Sequence, residues 1–312
     1  MQVRYLGLAM KKQPMGDGAP RKTNRSSRRR AGDGAALQRP ETVAALQRGE
    51  THALRAFATW GARVLKGRGL RGQLKLTVVE MADGGAGVTN PSSLGSQKVR
   101  AARRAAEAAV DLAWGTEPAP ADAHRDGPGP RTGEIPGTEH RFWSSSRSHS
   151  VPANGALGGV VRYGPGPGAP SPGRARAPSP GRAFLGVDLE PLDRPFNARL
   201  RAKLCPRPEN EAPEIRAGQI PLLAVWCVKE ALFKADPHQD GHILADYDWT
   251  HARPWGRSTG ATQKQSTGAT QKQSWQGQAR GIHGSTFEVA VRQVGHTWVA
   301  VALCFSTHSQ GR

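Results

Sequence analysis

Stretches rich in glycine and proline divide this chain, and they limit which segments can build a hydrophobic core. Glycine and proline account for 38 and 24 of the 312 residues, and hydrophobic residues make up only 37%. Such a composition does not support one compact core along the whole length. We therefore expect a smaller folded body with disordered insertions. The clearest insertion is residues 162–182, where the heptapeptide APSPGRA occurs twice.

The chain is strongly basic, with a net charge of +19. Residues 11–30 contain eight lysines and arginines but Asp17 as the sole acidic residue, and they show no apolar periodicity. We therefore expect residues 1–39 to form a disordered basic tail. A charge of this size favours anionic partners, namely nucleic acid, phosphorylated ligands, acidic proteins or anionic membrane surfaces.

The cysteines and the hydropathy pattern point to a cytoplasmic protein. Cys205, Cys227 and Cys304 lie far apart and form no C-x-x-C pair, so the sequence supports neither a zinc site nor a disulfide framework. No secretory signal is evident at the N-terminus. No segment reaches the roughly 20 apolar residues that a membrane-spanning helix needs.

Apolar periodicity predicts helices among antiparallel strands, which is an α+β fold class. The pattern predicts helices over 97–114 and 219–235. Strands are expected at residues 73–80, 156–161, 183–190, 241–249, 285–294 and 297–305. Residues 115–140 and the run SRSHS (146–150) are expected to be loops, and the repeated octapeptide STGATQKQ places another loop at 258–274.

The segment GVDLE, residues 186–190, carries the first chemical signal. On a strand, Asp188 and Glu190 project on the same side, while Val187 and Leu189 point towards a core. Two adjacent carboxylates repel each other unless a cation lies between them, and hard oxygen ligands suit Mg²⁺. Ordinary acidic residues on an exposed strand would give the same pattern.

The segment WCVKEALFK, residues 226–234, carries the second signal. On a helix, Trp226, Glu230 and Lys234 share one stripe and bring two opposite charges together. An amphipathic helix with a surface ion pair would show the same spacing. The third signal is His149 with its neighbouring serines, which could bind a phosphate or simply be exposed.

The order and spacing of these three signals resemble a known family. An SHS element, then G-V-D-x-E, then W-x-x-K-E-A-x-x-K some 40 positions later is similar to 4′-phosphopantetheinyl transferases of the surfactin-synthetase type. Within that type, the closest subgroup includes the enterobactin synthetase D component. The resemblance covers residues 183–249 and extends to 97–161.

The resemblance implies a fold of two similar α+β subdomains in a pseudo-two-fold arrangement, with the active site at their junction. The N-terminal subdomain would span residues 40–161 and the C-terminal subdomain, with the magnesium site, residues 183–312. The insertion at 162–182 would separate them.

The resemblance also implies an enzyme of the holo-[acyl-carrier-protein] synthase kind. It would transfer 4′-phosphopantetheine from coenzyme A (CoA) to a serine of an apo acyl or peptidyl carrier protein and release adenosine 3′,5′-bisphosphate. Its metal ligands for Mg²⁺ would be Asp188, Glu190 and Glu230. Glu230 would also serve as the base, and Lys234 would contact the pyrophosphate. The other expected CoA contacts are Ser148, His149, Lys229, Arg131 and an arginine of the 97–114 helix, either Arg104 or Arg100.

Some features depart from the family pattern and leave alternatives open. Arg147 stands where the family usually has an apolar residue before the Ser-His pair, and residues 162–182 are additional. A catalytically impaired relative of the transferases is therefore one alternative. A basic nucleic-acid-binding protein is another, although the scarcity of aromatic residues speaks against it. By analogy with the family, we expect a monomer.

Overall fold

The computed structural model describes residues 40–80, 91–115, 131–135, 141–150, 155–165, 182–195, 198–255 and 273–306. The predicted basic tail lies outside these residues, as do residues 166–181 of the predicted 162–182 insertion and residues 258–272 of the octapeptide repeat. The helices are α1 (Pro40–Gly67), α2 (Pro91–Trp114), α3 (Ala198–Leu204), α4 (Pro213–Arg216) and α5 (Leu222–Ala235). The strands are β1 (Leu70–Glu80), β2 (Arg131–Glu134), β3 (Phe142–Ser150), β4 (Gly155–Pro165), β5 (Arg182–Pro191), β6 (Tyr247–Pro254), β7 (Ser274–Gly281), β8 (Thr286–Val294) and β9 (Thr297–Ser306).

The strands form two antiparallel sheets. The first sheet has the strand order β1-β4-β3-β2, and the second has the order β5-β9-β8-β7-β6. This arrangement confirms the predicted α+β class. The similarity of two subdomains, their pseudo-two-fold relation and their boundaries stay predictions.

Segments with clear apolar periodicity form the elements predicted for them. The helix predicted over 219–235 is α5, and the helix predicted over 97–114 begins six residues earlier as α2. The strand with Asp188 and Glu190 is β5, and the last two predicted strands form the hairpin of β8 and β9.

Other predictions of local structure were wrong. The SRSHS run is not a loop: it lies in β3, which pairs with both β2 and β4. Arg131 is likewise in a strand, β2, rather than in a loop. The strand expected at 241–249 begins only at Tyr247, after a short 3-10 turn, and helix α1 and strand β7 were not predicted.

The core is layered. Helix α2 packs on the outer face of the first sheet through Val110 and Trp114, which contact Trp143 and Val160. The inner faces of the two sheets meet, and Phe57 of α1 helps to close the core between them. Helix α5 covers the outer face of the second sheet with a buried apolar cluster. Strand β5 therefore has a core on each side.

Two glycines allow helices to approach the sheets closely. A Cβ atom on Gly158 of β4 would lie 2.3 Å from the backbone carbon of Ala109 in α2. A Cβ atom on Gly186 of β5 would lie 1.9 Å from the carbonyl oxygen of Ala231 in α5. Both contacts involve backbone atoms, so no side chain could move aside. Gly186 thus sets the depth at which α5 lies on β5.

Replacing Gly186 by alanine should force α5 away from β5. We expect Gly186→Ala to lower the free energy of unfolding by at least about 2 kcal/mol, because overpacking against backbone cannot relax locally. Urea unfolding of the purified variant measures this. Gly67→Ala is the control, because a Cβ atom there meets nothing within 4 Å. Equal stability of the two variants would contradict the close packing of α5.

Candidate functional site

Strand β5 presents its two acidic residues to helix α5. Residues Leu185, Val187 and Leu189 are buried in the core between the sheets. Asp188 and Glu190 project from the opposite face, as predicted, and both are buried. The alternation of the strand therefore separates apolar contacts from the site.

The predicted stripe on α5 faces these carboxylates. The Trp226 indole N–H donates a hydrogen bond to Glu190 Oε1 at 3.2 Å. Lys234 Nζ donates to Asp188 Oδ1 at 2.7 Å. Glu230 lies between them on the same stripe, one turn from each. The stripe therefore packs on β5 and is not a solvated helix face.

Asp188 links three elements of the structure. Its Oδ1 atom accepts hydrogen bonds from Lys234 of α5 and, at 2.8 Å, from the Ser148 hydroxyl of β3. The Lys234 ammonium also lies 3.2 Å from that hydroxyl. The other carboxylate oxygen of Asp188, Oδ2, is buried and has no hydrogen-bond partner among the described residues. A buried carboxylate oxygen in this state is costly unless a cation or donor satisfies it.

The charges of the three carboxylates act on one another. Burial raises the pKa of Glu230 to about 7, and Asp188 and Glu190 add to this rise while Lys234 opposes it. Burial and the charge of Asp188 also raise the pKa of Glu190, partly offset by Arg194 and Trp226. A carboxyl group with a pKa near 7 can exchange its proton at neutral pH.

Lys234 is the principal cation of this cluster. Burial alone would lower the pKa of its ammonium group, but Asp188 and Glu230 raise it overall. Lys234 therefore remains charged. On the buried side of α5, burial together with Asp188 and Glu190 raises the pKa of the Cys227 thiol, so this cysteine stays protonated.

A basic region adjoins the carboxylates across β3. Arg147 of β3 pairs with Glu107 of α2 at 3.0 Å. His149 lies two residues further along the same face of β3, and Arg103 lies one turn before Glu107. Burial lowers the pKa of His149, and the charges of Lys234, Arg103 and Arg147 lower it further. The site thus has an acidic half on β5 and a basic half on β3 and α2.

The donor set of the acidic half fits a hard divalent cation. Asp188, Glu190 and Glu230 offer carboxylate oxygens, which Mg²⁺ prefers, and the unpartnered Asp188 Oδ2 is one of them. Within the described ranges, however, no three histidine, cysteine or acidic side chains are grouped as a metal site. Glu190 accepts instead from Arg194 and Trp226. Metal ligation by these residues therefore stays a prediction.

Other predicted site residues are not brought to this cluster. Lys229 is fully buried on another side of α5, where it pairs with Glu211 and donates to the Leu204 carbonyl oxygen at 2.7 Å. Glu211 also accepts from the Trp249 backbone N–H at 3.0 Å. Arg104 and Arg103 are both exposed on adjacent positions of α2, and a contact of Arg104 with phosphate stays a prediction. Arg131 is paired with Ser145 in the strand register, and its role in binding stays untested.

Three further residues with a part in these contacts were not predicted. Arg103 lies close enough to His149 for its charge to lower the pKa of that side chain, whereas the phosphate contacts expected of Arg104 or Arg100 stay predictions. Arg194 pairs with Glu190 and stacks over Trp226, 5.0 Å from the ring centre. Glu211 is the partner of Lys229. Arg194 follows the end of β5 and is not on a helix, so the contacts of all three residues depend on the tertiary structure.

Comparison with known proteins found one similarity that covers the acidic half. Residues 184–291, about a third of the chain, match the family model of the 4′-phosphopantetheinyl transferase superfamily. This match supports transfer of phosphopantetheine in general. Proteins of this superfamily use CoA as substrate and act on carrier proteins. No curated protein matches the chain at a significant level.

The matched segment runs from β5 into β8. It therefore contains Asp188, Glu190, Glu230 and Lys234, but it does not include β3 or α2. The basic half of the site lies outside the match. No helix in the described part of the chain combines the length and apolarity needed to cross a membrane.

The buried ion pair of Lys229 and Glu211 should be essential to the stability of α5. Lys229→Met leaves the Glu211 charge buried without its partner, so we expect a loss of about 3–5 kcal/mol in the free energy of unfolding. Urea unfolding measures this loss. Adding Glu211→Gln to Lys229→Met should restore part of the stability, because the uncompensated charge is removed.

Lys203→Met is the matched control for this prediction, because Lys203 is exposed on α3. It should stay within about 0.5 kcal/mol of the parent protein. A Lys229→Met protein as stable as this control would show that the pair contributes nothing.

Proposed function

We propose that this protein transfers 4′-phosphopantetheine from CoA to a serine of an apo acyl or peptidyl carrier protein. The observation that carries the proposal is the cluster of buried Asp188 with half-buried Glu230 and Lys234, which lies inside the segment matched to the transferase superfamily. The reaction is Mg²⁺-dependent and releases adenosine 3′,5′-bisphosphate. The motif order supports assignment to the surfactin-synthetase type, nearest to the enterobactin synthetase D subgroup.

Asp188, Glu190 and Glu230 are the proposed ligands of Mg²⁺. The buried Asp188 Oδ2 supports this, since it has no partner in the described structure. When bound, Mg²⁺ supplies positive charge that neutralises the pyrophosphate oxygens of CoA. Ser148 holds Asp188 in place through its other oxygen.

Glu230 is the proposed base for the attacking serine. It accepts the serine proton, directly or through a water molecule. The serine oxygen then bonds to the phosphorus of the phosphopantetheine group, and the bond from that phosphorus to the bridging oxygen breaks. Burial raises the pKa of the Glu230 carboxyl group, which makes its carboxylate a stronger base for this proton.

Lys234 is the proposed contact of the pyrophosphate. Its ammonium group is held beside Asp188 and carries a raised pKa, so it stays charged beside the leaving group. Positioned charge of this kind is the main contribution that a protein makes to phosphoryl-type transfer. Lys234 needs no proton transfer to act in this way.

The basic half of the site is proposed to bind the nucleotide part of CoA. His149 is the expected contact near the 3′-phosphate, whereas Ser148, expected beside it, is buried and donates to Asp188. Arg103 is the helix arginine that we now assign to this role, because its charge acts on His149. Arg147 adds positive charge to the same region, although its ion pair with Glu107 offsets part of that charge.

Removing either of two carboxylates should abolish transfer. We expect Asp188→Asn and Glu230→Gln to lower the rate by at least about 100-fold, because each loses a negative oxygen needed for cation binding or for proton transfer. The assay mixes the protein with CoA, Mg²⁺ and several apo carrier proteins, and mass spectrometry detects the added phosphopantetheine. Chelation of Mg²⁺ by EDTA should stop the reaction.

Glu209→Gln is the control, because Glu209 is an exposed acidic residue away from the cluster. It should transfer at the parent rate. Full activity in Asp188→Asn and Glu230→Gln would refute the proposal. A folded parent protein that modifies no carrier but binds RNA or DNA, with Asp188→Asn binding equally well, would favour the nucleic-acid alternative.

The assignment of Arg103 can be separated from that of its neighbour. Arg103→Ala should weaken CoA binding about 10-fold, which is the effect of losing one charge-assisted contact to phosphate. Arg104→Ala, one position round the helix, should change the Kd less than twofold. Isothermal titration calorimetry with CoA gives both values. A larger effect of Arg104→Ala would return the role to Arg104.

A further inference from the structure

Three serines of β3 contact β5 at alternate positions. The Leu185 N–H donates to the Ser144 hydroxyl oxygen at 3.0 Å, and the Val187 N–H donates to the Ser146 hydroxyl oxygen at 3.1 Å. The Ser148 hydroxyl in turn donates to Asp188 Oδ1. We call these three contacts the serine ladder.

The serine ladder accepts hydrogen bonds from backbone N–H groups at the open edge of the second sheet. Strand β5 is at the end of the order β5-β9-β8-β7-β6, so one of its edges has no strand partner within the sheet. Unpaired N–H groups on a buried edge are costly. The Ser144 and Ser146 hydroxyls accept two of these N–H groups, so side chains of one sheet take the place of a neighbouring strand.

The serine ladder also fixes a register between the sheets. Moving two residues along β3, from Ser144 to Ser146, corresponds to moving two residues along β5, from Leu185 to Val187. Two residues further along β3, Ser148 reaches the side chain of Asp188, one residue beyond Val187 on β5. A slip of β5 along β3 would break every contact together. The position of His149 relative to Asp188 is set by this register.

We propose that Ser144 and Ser146 are positioning residues, which align β5 with β3 and so hold the acidic half of the site beside its basic half. This inference rests on the proposed function, since it assigns the two halves to the metal cluster and to the nucleotide of CoA. Neither serine touches the substrate. They act through Asp188 and His149.

Strand β3 also contains a matched control. Ser145 lies between the two ladder serines, is buried where Ser146 is half-buried, and projects from the opposite face of the strand. Its hydroxyl has no hydrogen-bond partner in the described ranges. Ser145→Ala therefore removes the same atom from the same strand without breaking a ladder contact.

The experiment compares Ser146→Ala, Ser146→Thr and Ser145→Ala by two readouts. Amide hydrogen exchange by NMR follows the Val187 N–H, and steady-state kinetics give kcat and the KM for CoA. We expect Ser146→Ala to speed Val187 exchange at least about 10-fold and to lower kcat/KM by about 10- to 100-fold, as a misplaced reactive group does. Ser146→Thr keeps the hydroxyl, so its Val187 exchange rate and its kcat/KM should stay at the values of the parent protein. Ser145→Ala should change neither.

The two readouts separate the possible failures. Unchanged Val187 exchange in Ser146→Ala would overturn the serine ladder. Faster exchange with unchanged kcat/KM, or an equal kinetic loss in Ser145→Ala, would overturn its positioning role. If Ser146→Ala does not fold, Ser144→Ala and the exchange of the Leu185 N–H decide by the same criteria. A parent protein that modifies no carrier refutes the proposed function, whereas Val187 exchange still tests the ladder.

Discussion

The hydrogen bonds to Asp188 Oδ1 join the parts of this structure that matter for its chemistry. Ser148 brings the first sheet to this carboxylate, and Lys234 brings α5. A buried carboxylate needs such partners because water cannot reach it, so the side chains around it are held in one arrangement. The raised pKa of Glu230 is a consequence of the same burial. Folding thus provides the electrostatic conditions that a phosphopantetheine transfer would use.

Small residues determine how closely the helices approach this carboxylate. Gly186 lets the backbone of α5 contact β5, so the Trp226–Glu230–Lys234 stripe lies directly over Asp188 and Glu190. Gly158 does the same for α2 on the first sheet. The buried Lys229–Glu211 ion pair, on another side of α5, opposes rotation of the helix about its axis. Backbone contact on one side and a buried ion pair on another leave the helix a single orientation.

Elements with one apolar face could be predicted from the sequence, but elements defined by polar contacts could not. The alternation around Asp188 predicted β5 and its two faces, and the stripe on α5 was also foreseen. Strand β3 was missed because its inward positions are serines, which satisfy the edge of β5 instead of filling a core. The contacts of Arg103 and Lys229 could not be foreseen, because the rotation of a helix against its sheet depends on packing between distant segments. Sequence spacing alone does not contain that information.

The path of the chain determines where additional residues can be accommodated without breaking the sheets. Within the described elements, every strand of the first sheet precedes Pro165 and every strand of the second follows Arg182, so the chain passes between the sheets once. The Pro/Gly/Arg segment lies at that passage, and the octapeptide repeat lies between β6 and β7. Neither interrupts a hydrogen-bonded ladder. Additional residues at these two places therefore leave the strand pairing intact, and loop closure grows only slowly more costly with length.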